Sequence, residues 1–135
     1  MYQNILIPVA PDQGDVAHES LAVARELAGE GAKITAVSVV EQVPLYMSAD
    51  VPAGLIDQTR ADIAASLEEV LKDAPDVSRL VVSGHAPSTI VQMARDNAYD
   101  LIVIRSHRPG LQDFFLGSTA ARVVRHAGTC VHVIR

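Results

Sequence analysis

Five short apolar runs, rich in β-branched residues, alternate along the chain with stretches whose apolar residues recur at helical spacing, and few folds accommodate that rhythm. Ile5 to Ala10 is the first run, closed by the turn-forming Pro11, Asp12, Gln13 and Gly14. A helical pattern follows through Ala17, Leu21, Ala24 and Leu27, and Gly29 and Gly31 are expected to stop it. Ile34 to Val40 reads as the second strand, Glu41 to Gly54 as an irregular link, and Leu55 to Leu71 as a helix ended by Pro75. Arg79 to Ser83 is the third strand, followed by a helix with Ser88 as its expected N-cap. Asp100 to Ile104 is the fourth strand, Phe115 to Ala127 the last helix, and Thr129 to Ile134 the fifth strand. Strands joined by right-handed helical crossovers make a parallel sheet covered on both faces, so the expected fold is α/β, a three-layer αβα sandwich.

Length and composition agree with that architecture. A chain of 135 residues is expected to form a single domain over 1–135 and to bury its core without disulfides or a structural metal. The aromatic content of 4%, with no Trp, leaves Val, Ile, Leu and Ala to build the core and argues against an antiparallel sandwich or a base-stacking platform. Its single cysteine, Cys130, lies in an apolar run and reads as a small core residue. With neither a signal peptide nor a membrane-length apolar stretch, the chain reads as cytoplasmic.

In a parallel sheet, ligands bind beyond the carboxyl ends of the strands, which directs attention to 8–12, 39–42, 84–87 and 105–119. Strand three ends in Gly84-His85 and strand one lacks paired acids, which excludes a phospho-accepting receiver. There is no Gly-Lys-Ser or Gly-Lys-Thr for a P-loop and no Gly-x-Gly-x-x-Gly after strand one. Two segments stand out: Arg105-Ser106-His107-Arg108-Pro109-Gly110, and Gly117-Ser118-Thr119 opening the last helix. A helix N-terminus with a glycine and two hydroxyls suits an anion, and the same residues also suit a plain cap and turn. His107 fits either a phosphate contact or a turn. Arg122 and Arg125 read as a solvated face or as a cationic rim facing a partner. His126 and His132 have no third ligand nearby in sequence, so no metal site is expected.

The whole chain resembles the universal stress protein family. The resemblance rests on Asn4 to Val9, on Gly84-His85-Ala86-Pro87, on Ser106-His107-Arg108-Pro109 with Leu116 to Ala127, and on the closing Cys130 to Arg135. It implies a Rossmann-like sheet of the adenine nucleotide alpha hydrolase type, ordered 3-2-1-4-5, and a nucleotide-binding stress-response regulator. The implied ligand is ATP or AMP, with or without Mg²⁺, and hydrolysis is slow at most. By the same resemblance Pro8, Val9, Ala10 and Val39 line the adenine pocket. Arg105, Ser106, His107 and Arg108 run beside ribose and phosphates, and Gly117, Ser118 and Thr119 hold the phosphates. A homodimer through Cys130 to Arg135 is also implied, and the short apolar strand placed at a sheet edge independently invites such pairing.

This chain departs from the family pattern at three points. Arg105 and Arg108 stand where the family has glycines, eight residues rather than nine separate Arg108 from Gly117, and Ala10 replaces the usual acid at the end of strand one. Asp12 is a possible substitute for that acid. An arginine in the loop either pairs with phosphate or fills the space a glycine would leave open. The alternative reading is therefore a dimeric interaction module of the same fold with a degenerate site and no cofactor.

Charge sharpens the choice of partner. The net charge of −5 divides into −8 over residues 1–75 and +3 over 76–135, and from Arg105 onward five arginines face the single acid Asp113. That distribution disfavours nucleic acid as a partner and is compatible with a small anion.

Overall fold

A computed structural model describes residues 1–10, 17–41, 53–106 and 116–135. The elements run β1 (Tyr2–Pro8), α1 (Ala17–Leu27), β2 (Ala28–Val40), α2 (Ala53–Val70), β3 (Ser78–Ser83), α3 (Ala86–Asp96), β4 (Leu101–Arg105), α4 (Ser118–His126) and β5 (Cys130–Ile134). The strands form one parallel sheet ordered β3-β2-β1-β4-β5, as expected. The run of apolar residues in β1 is explained by this position: Ile5, Leu6 and Ile7 lie in the middle of the sheet and are buried on both faces.

Side-chain alternation sorts the core into two layers. Ile5, Ile7, Ala36, Leu101 and Val103 pack with Leu21 and Ala24 of α1 and Leu67 of α2. Leu6, Val37, Ile102 and Ile104 pack with Ile90 and Ala94 of α3 and Ala120 and Val123 of α4.

Local structure differs from the sequence reading at three places. Strand β2 begins directly at Ala28, so Gly29 and Gly31 lie inside it. Between the pairs Tyr2↔Ala28 and Asn4↔Lys33 the register shifts, leaving extra β2 residues as a bulge, and Gly31 at φ +74° supplies a conformation that other residues resist. Helix α3 starts at Ala86 with His85 as its N-cap, which places Ser88 within the first turn, its hydroxyl donating to the His85 carbonyl at 3.2 Å. Pro87 suits that first turn because a helix has no intrahelical use for an N–H there. Cys130 is exposed rather than core, because it opens an edge strand. Among the described residues no helix is long and apolar enough to cross a membrane. The expected start of the last helix at Phe115 and most of the irregular link fall outside the described residues.

Candidate functional site

The carboxyl ends of β1, β2, β3 and β4 and the first turn of α4 meet along one edge of the sheet. At β1, the Val9 N–H donates to the Val37 carbonyl at 2.7 Å, and the buried Ser38 hydroxyl donates to the Val9 carbonyl at 2.9 Å. These bonds carry the parallel pairing of β1 and β2 one residue past Pro8 and fix where the chain leaves the sheet. Pro8 and Val9 are half-buried and Ala10 is exposed. Val9 packs against the α1 and α2 layer, whereas Val39 lies buried in the α3 and α4 layer. Their side chains therefore occupy opposite faces of the sheet.

Residue Ser106 organises the other half of the edge. It is 2% exposed, its N–H donates to the Ile134 carbonyl of β5 at 2.8 Å, and its carbonyl accepts from the Gly117 N–H. The end of β4 and the start of α4 are thereby stapled together, although eleven positions separate them. Gly117 is the N-cap of α4 and supplies no side-chain cap, so the first-turn amides, which have no intrahelical partner, lie beside the end of β4. Ser118 is exposed and Thr119 half-buried in that turn.

The guanidinium of Arg105 turns away from α4. Its side chain, 18% exposed, pairs with Glu19 of α1, and its Nε is buried without a hydrogen-bond partner among the described residues. A donor so placed is either an uncompensated cost or a contact waiting for an acceptor. Sequence reasoning had no means of finding Glu19, which lies 86 positions earlier. His107, Arg108 and Asp12 fall outside the described residues.

One further cluster joins residues of the 39–42 and 84–87 windows to Arg122 of α4, a contact the sequence did not indicate. Glu41, just past β2, accepts from the Ala86 N–H at 2.9 Å and lies 3.6 Å from His85 Nδ1. His85 Nε2 is 3.0 Å from Arg122 Nη1 of α4; because a guanidinium only donates, this nitrogen is the acceptor and the imidazole proton faces Glu41. Gly84 before it, at φ +151°, sits where an added Cβ would collide with the Thr89 hydroxyl, 2.5 Å away. Among the described residues, no group of three or more His, Cys, Asp or Glu side chains is placed to hold a metal.

Comparison with known proteins extends this picture. A family model described as the universal stress protein family matches residues 1–135. The solved structure of hypothetical protein MJ0577 is similar over 99% of this chain and 96% of its own, with a TM-score of 0.82 and 22% identity. Universal stress protein UspA from Lactobacillus plantarum is 27% identical over 99% of this chain and 98% of its own, with a TM-score of 0.66. A universal stress protein solved in complex with cAMP is 20% identical, with a TM-score of 0.65, over 99% of this chain and 97% of its own.

Proposed function

The chain belongs to the universal stress protein family, and on that premise we propose that it is a homodimeric, cytoplasmic stress-response regulator that binds an adenine nucleotide, ATP or AMP. The observation that carries this reading is the staple between Ser106 and Gly117, which brings the uncapped first turn of α4 to the end of β4. That turn offers backbone amides and the Ser118 and Thr119 hydroxyls to phosphate oxygens. Pro8, Val9, Ala10 and the neighbourhood of Val39 take the base, while Ser106 to Arg108 run beside the ribose. The cAMP held by a structural neighbour supports the ligand class. With ATP, Mg²⁺ would ride on the phosphate oxygens and water. The role is binding and regulation, with hydrolysis slow at most.

The second reading, a dimeric interaction module with a degenerate site, draws on Arg105. Where the family has a glycine, this side chain pairs with Glu19 of α1.

Mass spectrometry of denatured protein purified from cells, with calorimetric titration of ATP, ADP and AMP, separates the two. The expected result is a co-purified adenine nucleotide, binding tighter than about 1 mM, and loss of that binding in Gly117→Val. No binding by the wild type, with binding gained in Arg105→Gly, would establish the second reading.

A further inference from the structure

Helices α3 and α4 flank an open groove of about 550 Å³ that starts beside the carboxyl end of β3, at His85 and Pro87, and runs along the helices to Arg95 and His126. Arg95, Arg122, His85 and His126 line it over a floor that includes Pro87 and Val91, and none of its lining residues is acidic. In a protein of net charge −5 this is a local reversal of sign. The Glu41 carboxylate, 3.6 Å from His85, is already engaged with the Ala86 N–H.

The cations are distributed along the groove rather than pooled. Both helices return between parallel strands and so run in the same direction. Arg122 meets His85 at the N-terminal end of α3, while Arg95 sits in the last turn of the same helix. At 1.5 Å per residue these ends are about 15 Å apart. All four cationic or imidazole side chains are exposed, so the groove lacks the enclosure by which small-molecule sites bury most of a ligand. An extended chain rises about 3.3 Å per residue, so carboxylates four or five residues apart reach both ends, with apolar side chains between them on Val91 and Pro87.

We propose that the groove between α3 and α4 is a docking site for an extended acidic peptide segment of a partner protein, read by Arg122 at one end and Arg95 at the other. Charge complementarity selects the occupant and the apolar floor sets the spacing.

The test is fluorescence anisotropy with a fluorescein-labelled heptapeptide, Glu-Glu-Leu-Ala-Leu-Glu-Glu, titrated with the intact protein. Micromolar binding is expected, weakened about tenfold or more by Arg95→Glu or Arg122→Glu and by 0.5 M salt. The double charge-reversal variant should instead capture the Lys-for-Glu peptide, a gain that a misfolded protein does not give. The proposal is overturned if the Gln-for-Glu peptide binds equally well or if both reversals leave affinity unchanged. Displacement of the peptide by an equal concentration of inorganic pyrophosphate would overturn it in favour of a small-anion site.

Discussion

At the scale of single residues, Asp100 does more than precede β4. Its two carboxylate oxygens accept from the Gln3 and Asn4 N–H groups at 2.8 and 3.0 Å, and the Asn4 side chain donates in return to the Asn97 and Ala98 carbonyls at 3.1 and 3.3 Å. The turn after α3, where Ala98 adopts a positive φ of 56°, is thus held by β1. Asp100→Asn turns one acceptor into a donor facing a backbone N–H, and the expected loss is about 1.5–3 kcal/mol, seen as a lower urea midpoint. An unchanged midpoint would show that water replaces these bonds at no cost. Asp100 was legible as a strand boundary but not as a staple, because its partners lie 96 and 97 positions away and periodicity reports only neighbours. Arg105 illustrates the same limit: the sequence left open whether it binds phosphate or fills a gap, and only folding brings Glu19 beside it.

At the scale of elements, existence and type were legible from period, while junctions depended on contacts between distant segments. Helix α3 begins two residues ahead of the expected Ser88 cap because Glu41, from the end of β2, supplies the acceptor for its first turn. The C-terminal end of α1 is tied in a comparable way, since Arg25 donates twice to Asp76, at 2.8 and 3.0 Å, in the turn that leads into β3. The guanidinium holds the Asp76 carboxyl below its ordinary value of 3.8. A carboxyl depressed in the folded state adds stability that is whole above that ordinary value and is lost as pH falls through the lowered one. The urea midpoint of Asp76→Asn is therefore expected below that of the wild type at neutral pH, with the gap closing as pH falls below the ordinary carboxylate range. Because both side chains are largely exposed, the gap should also narrow in 1 M salt. A gap independent of pH would assign the effect to something other than this ion pair.

At the scale of the whole molecule, the strand order leaves β3 and β5 at the edges. The Ile134 carbonyl faces β4 through the Ser106 N–H, so the backbone groups of Val131 and Val133 face outward. If β5 carries the proposed dimer, sedimentation should give twice the 14.4 kDa chain mass for the wild type and a monomer for Val133→Pro, which lacks an outward N–H. A wild type that sediments as a monomer contradicts that assembly. The strand order also has a consequence in time. Strand β1, made before the other four strands, is the middle of the sheet, yet its second neighbour β4 starts only at Leu101. At about 5–20 residues per second, roughly ninety residues of synthesis leave one side of β1 unpartnered for about 5–20 s. During that interval a nascent half-sheet presents its most apolar strand as an open template, so this chain is most exposed to mispairing before it is complete.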